Sequence, residues 1–209
     1  TLIPHCNGTH TESISHIVEY KIGGYQAIKE ALFPTVVVSV QPTIERDFAD
    51  QYIPCIDKGN SVITQAQLAA EIDTYSSDQL VGLVIRTPNI GESKKLHNYK
   101  CDKYPALLTN DAMRYIVSKG VRHLMVDMPS VDKMYDNGCL SNHHIFWNVS
   151  FQGGSRELSS EWLTEKTITE MIFVDDKIED GFYLCNLQIP QIDSDAVPSR
   201  PVLFKLVEC

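Results

Sequence analysis

The apolar positions of this chain change their spacing along its length. Ala27, Ile28, Ala31 and Leu32 recur at helical intervals within residues 23–32, and Pro34 closes that segment before the β-branched run 35–40. This predicts a helix followed by a buried strand. The alternation then repeats, with residues 64–75 reading as helix, 80–86 as strand, 109–119 as helix and 121–127 as strand. Helices alternating with apolar strands predict an α/β core with parallel pairings. From Ile168 the period changes. Residues 171–174, 182–189 and 202–207 all read as strands between turn-forming Asp, Gly, Pro and Ser, so the C-terminal part is predicted to be β-rich. Residues 41–63, 88–107 and 152–165 carry loop chemistry, and the last of these, starting QGGSRELSSEW, resembles an insertion.

Composition narrows the picture. At 209 residues and 43% hydrophobic, the chain is long enough for one sizeable core, and a single domain over 1–209 is expected. Acidic groups outnumber basic ones by 27 to 18, a formal charge of −9 that repels phosphate backbones and anionic membrane surfaces. Neither nucleic acid nor membrane is an expected partner. The six cysteines include no CxxC pair, which favours reduced thiols and a cytoplasmic setting. Thr1 stands only four residues before a ligand-rich stretch, so a segment upstream of it is expected to be missing.

That stretch, HCNGTHTESISH at residues 5–16, concentrates the candidate chemistry. Cys6, His10, Glu12 and His16 all lie at even positions, so an extended backbone points them to one face, whereas a helix would split them into two groups. Full extension would hold Cys6 roughly 20 Å from Glu12, so the chain must bend, and Asn7-Gly8 is the place for it. His5 is out of phase with the set and reads as a structural or surface residue.

These residues resemble the metal-dependent cyclase-type hydrolases that include bacterial kynurenine formamidase and isatin hydrolase, whose signature is H-x-G-T-H-x-D-x-P-x-H. Gly8-Thr9-His10 and His16 match it, while Cys6, Glu12 and Ile14 replace its first histidine, its aspartate and its proline. Further likeness runs through Tyr104-Pro105-Ala106-Leu107, Val126-Asp127-Met128-Pro129-Ser130-Val131-Asp132, Ile168-Thr169-Glu170, Asp180-Gly181 and Pro198-Ser199-Arg200-Pro201. The resemblance implies a layered β/β/α fold, a homodimer or homotetramer, and a small-molecule substrate. It also implies metal ligands at Cys6, His10, Glu12, His143 and Glu170, with His16 as the catalytic histidine. His143 and His144 compete for one ligand position.

The activity so implied is hydrolysis of a linear or cyclic C–N amide, an aryl formamide among them, by a metal-activated water. A Cys6 thiolate would favour zinc, with manganese as the alternative. His16, as an imidazole, is suited to moving a proton between the water nucleophile and the leaving nitrogen. Two other readings remain open: an amidase with Cys6 as nucleophile, and a non-catalytic metal- or ligand-binding relative. Asp127 and Asp132, at a strand end around Pro129-Ser130, read as turn formers, Arg86 as a structural anchor, and Phe146 and Trp147 as core or subunit contacts.

Overall fold

The computed structural model describes residues 3–19, 22–44, 50–88, 94, 96–97, 99, 105–150, 160 and 162–206. Tyr104 and most of the insertion-like segment lie outside the described residues. The strands in chain order are β1 (His10–Glu12), β2 (Leu32–Ser39), β3 (Thr43–Ile44), β4 (Ser61–Ile63), β5 (Gly82–Arg86) and β6 (Leu107–Leu108), then β7 (His123–Val126), β8 (Thr167–Glu170), β9 (Gly181–Asn186), β10 (Ala196–Pro198) and β11 (Val202–Lys205). The helices are α1 (Pro4–Asn7), α2 (Gly24–Ala27), α3 (Gln65–Ile72), α4 (Asn110–Ser118) and α5 (Ser141–Trp147), with a 3-10 turn at Ile14–His16.

Eight strands form one mixed sheet in the order β10-β1-β8-β7-β5-β2-β9-β11, and β3-β4-β6 form a second, small sheet. The four central strands, β8, β7, β5 and β2, are mutually parallel. Antiparallel pairs flank them on both sides. The chain passes from β2 to β5 through α3, from β5 to β7 through α4, and from β7 to β8 through α5, as parallel strands require.

Alternation along the strands sorts the core. Val36 and Val38, Leu83 and Ile85, Leu124 and Val126, and Ile168 pack in one cluster with Leu68 and Ile72 of α3, Met113 and Ile116 of α4, and Phe146 and Trp147 of α5. Val37, Val84 and Met125 point to the opposite face and meet Phe33, Tyr183, Cys185 and Leu187. Because both faces of the centre are covered, its strands read as continuous apolar runs. Thr64 and Thr109 start α3 and α4, each hydroxyl accepting a hydrogen bond from the backbone three residues on. Among the described residues no helix is long and apolar enough to cross a membrane.

Two expected elements differ. The helical spacing of residues 23–32 yields only the four-residue α2, because β2 begins at Leu32, where it pairs with Asn186 of β9 and buries Phe33. Pro34 is tolerated there since pairing with β5 starts one residue later, at Thr35. Residues 171–174 form no strand. At Met171 φ is 56°, and the chain turns across the end of β7, with the Met171 and Ile172 amides donating to the carbonyls of Met128 and Val126.

Candidate metal centre

Antiparallel pairing of β1 with β8 sets His10 opposite Glu170 and Glu12 opposite Ile168. Side chains two apart on a strand share a face, so His10, Glu12 and Glu170 all project to the helix side of the sheet. α5 runs over that face and brings His143 to it. All four side chains are buried.

The resulting contacts are nearly symmetric. Glu12 Oε1 lies 3.0 Å from His10 Nε2, and Glu12 Oε2 lies 3.0 Å from His143 Nε2. Glu170 repeats the pattern, with Oε2 at 3.6 Å from His10 Nε2 and Oε1 at 3.6 Å from His143 Nε2. Donors held about 2.1 Å from one tetrahedral ion stand about 3.4 Å apart, close to the separation of each imidazole from the two carboxylates. His10, Glu12 and Glu170 offer ligand atoms all within 4.8 Å of one another, and so do His5, Glu12 and His16.

The outer nitrogens are held as well. His10 Nδ1 lies 2.9 Å from the Gly8 carbonyl oxygen, and His143 Nδ1 lies 2.5 Å from Asp132 Oδ2. An oxygen on the outer nitrogen fixes the tautomer that turns the other nitrogen's lone pair inward. Asp132 is fixed in turn by the Tyr52 hydroxyl at 2.5 Å and by the Asn142 amide at 2.8 Å. Glu170 Oε1 accepts the Val131 amide at 2.9 Å.

Electrostatics follow from this packing. Burial alone would drive the His10 imidazole to its neutral form, but Glu12 and Glu170 outweigh it and lift its pKa to about 10. His143 behaves alike: burial opposes its charge, and Asp132 and Glu12 hold it well above the ordinary range. Burial would raise Glu12, yet the charge of His16 and the contacts with His10, His143 and His5 keep its carboxyl well below the carboxylate norm. The pocket therefore favours positive charge at its centre.

Of the residues singled out in the sequence, His10, Glu12, His143 and Glu170 converge. His144 does not, since its Nδ1 turns to the Val149 carbonyl at 3.1 Å. His16, on the 3-10 turn, sits at the rim with its ring centroid 5.2 Å from that of His143 and its Nδ1 3.3 Å from Asp195 Oδ2. Cys6 departs from expectation. Residues 4–7 form a helical turn started by Pro4 rather than an extended segment, so strand alternation does not reach position 6, and Cys6 is exposed. The odd-numbered neighbour is the one turned inward, with His5 Nδ1 2.6 Å from Glu12 Oε1. Gly8, at φ 145°, makes the bend expected at Asn7-Gly8.

Sequence reasoning missed two residues here, Asp132 and Asp195, while His5 is hydrogen-bonded to Glu12 and Asp195. Asp132 was read as a turn former, and Asp195 carried no local signal at all. Arg86 is the anchor it was read as, donating to Ser39 Oγ, the Asp175 carbonyl and Asp180 Oδ1. Phe146 and Trp147 are fully buried in the core.

Solved structures share this architecture. A potential metal-dependent hydrolase with cyclase activity superposes with a TM-score of 0.60 at 17% identity, over 97% of this chain and 80% of its own. A predicted metal-dependent hydrolase from Bacillus stearothermophilus gives 0.57 at 18%, over 97% and 78%. An isatin hydrolase bound to the product analogue thioisatinate gives 0.61 at 15%, over 96% and 72%. At these identities the likeness shows the fold. Comparison with curated proteins gives no match. The model of the Cyclase family matches residues 1–133, well over half of the sequence, and the chain belongs to that family.

Proposed function

We propose that this protein is a metal-dependent hydrolase that cleaves a C–N amide bond, linear or cyclic, in a small molecule such as an aryl formamide. The observation that carries this reading is the buried square of His10, Glu12, His143 and Glu170, whose donors stand 3.0–3.6 Å apart along its contacts. Glu12 would serve both sides of the centre, one oxygen toward each imidazole. A bound divalent cation supplies Lewis acidity, polarising the scissile carbonyl and bringing the pKa of a coordinated water down to about 7. Imidazole and carboxylate donors suit zinc and manganese alike, and the argument for zinc from a Cys6 thiolate no longer applies with that side chain at the surface.

The remaining work falls to groups at the rim. His16 is partly exposed and held through Nδ1 by Asp195, which leaves Nε2 to carry a proton to the departing nitrogen as the C–N bond breaks. The Trp147 ring, 5.6 Å from that of His143 and fixed by its Nε1–H donated to the Lys166 carbonyl, forms an apolar wall behind the centre. Names borne by the structural neighbours, metal-dependent hydrolase and isatin hydrolase, support the same class.

The test is hydrolysis of a panel of aryl formamides and cyclic amides by protein stripped of metal and then reloaded with zinc or manganese. Turnover should vanish on chelation and return on reloading, and His16→Ala should keep the cation while losing about 10²–10⁴-fold in kcat. Turnover that persists without any cation would contradict the reading, as would a chain that binds none.

A further inference from the structure

The family pattern places a ligand at position 6, and this chain has a solvent-facing thiol there. The helical turn Pro4–Asn7 explains why. Successive residues on a helical turn diverge by about 100°, so positions 5 and 6 cannot both face the cluster. Pro4 starts the turn, the Cys6 amide closes it on the Ile3 carbonyl at 3.0 Å, and the Ile3 amide donates to Asn7 Oδ1 at 2.7 Å. With the turn so fixed, the His5 ring lies inward.

We propose that His5, and not Cys6, supplies the first imidazole ligand of the metal centre, with Asp195 as the residue that positions it. This rests on the cation-binding reading of the cluster given above. His5 Nδ1 and His10 Nε2 both face the same oxygen, Glu12 Oε1, at 2.6 and 3.0 Å. His5, Glu12 and His16 offer ligand atoms all within 4.8 Å of one another, as do His10, Glu12 and Glu170, with Glu12 common to both sets. His5 also has the outer support its partners have: its Nε2 lies 3.1 Å from Asp195 Oδ2, as His10 Nδ1 lies on the Gly8 carbonyl and His143 Nδ1 on Asp132. Three imidazoles thus converge on Glu12, each held from behind by an oxygen, the arrangement that makes imidazole a well-oriented ligand. The His5 ring meets that of His10 edge-on at 5.1 Å and stacks on His16 at 4.4 Å.

The deciding experiment loads the full chain with cobalt(II) and measures zinc affinity by chelator competition. A thiolate ligand gives cobalt an intense near-ultraviolet charge-transfer band, and the wild-type protein should lack it. Cys6→Ser should leave both the cobalt spectrum and the zinc affinity unchanged. His5→Ala should alter the visible cobalt bands and weaken zinc binding tenfold or more, and Asp195→Asn should weaken it about tenfold. A charge-transfer band that disappears in Cys6→Ser would overturn the assignment. So would a His5→Ala protein with wild-type affinity and spectrum. Wild-type protein that takes up no cobalt or zinc is a different result, one that removes the cation-binding reading itself and this assignment with it. The wild-type and Cys6→Ser spectra decide the matter without relying on the folding of His5→Ala, whose substitution lies on a surface turn outside the apolar core.

Discussion

Two buried charge clusters sit at the same end of the central strands, and they are balanced in opposite ways. At the end of β7, Asp127 accepts the Thr87 amide at 2.8 Å and the Thr87 hydroxyl at 3.0 Å, and it pairs directly with the Lys94 ammonium. Burial pulls Lys94 below its ordinary pKa and pushes Asp127 above its own, each shift only partly offset by the partner. That cluster carries its own cation. On the other face, at β1 and β8, imidazoles are the only cationic side chains paired with Glu12 and Glu170 among the described residues, and the charge there depends on protons or on an ion from solution. A carboxylate paired with a fixed ammonium is structure; carboxylates paired with titratable imidazoles at ligand spacing make a site.

The contrast can be broken from either side. Glu12→Gln removes the carboxylate shared by both imidazoles, so cation content measured by elemental analysis should fall and turnover should drop by about 10³-fold or more, the loss of several kcal/mol of charge stabilisation. Asp127→Asn should do the reverse: cation content stays at the wild-type value, while denaturant unfolding shows a loss of about 3–5 kcal/mol because Lys94 is left buried without its partner. Equal cation loss in both variants would erase the distinction.

A third buried polar group sharpens the comparison through pH. His123 stacks on Phe33 at 4.2 Å and touches Thr167 Oγ1 at 2.9 Å, with no carboxylate paired to it among the described residues. Burial, with a smaller contribution from Arg122, lowers its pKa from 6.5 to about 4. Between those values the unfolded chain binds a proton that the folded chain refuses, so the stability present above pH 6.5 is lost as pH falls toward 4, by up to about 3 kcal/mol. Denaturant titrations at several pH values should show that slope, and His123→Gln should flatten it. The smallest effect lies away from all three groups. Thr64→Ala removes the hydroxyl that accepts the Gln67 amide at the start of α3 and should cost about 1 kcal/mol of stability with no change in cation content.

Legibility in the sequence followed the range of the interaction. α3 and α4 were readable because Thr64 and Thr109 cap them locally and their apolar positions repeat at helical spacing. His10 and Glu12 were readable as a pair because a strand period of two is a local rule. α5 was not, although it carries His143: its seven residues mix polar and aromatic side chains without a clean period. His5 lies outside the strand rule, because the helical turn before Gly8 obeys a different period. Asp195 lay beyond any local rule, since it reaches His5 across 190 positions, through the pairing of β10 with β1. Spacing rules therefore found the candidate residues borne on strands, while tertiary pairing chose the residues that contact them.

Anomalous diffraction from crystals of zinc-loaded protein tests the central claim most directly. The account predicts a peak about 2.0–2.2 Å from Glu12 and from inward imidazole nitrogens of the cluster, that of His5 among them, at zinc–ligand distances. A peak bound by the Cys6 sulfur would contradict the ligand assignment, and an ion-free cluster with imidazoles still bonded to Glu12 and Glu170 would contradict the metal centre altogether.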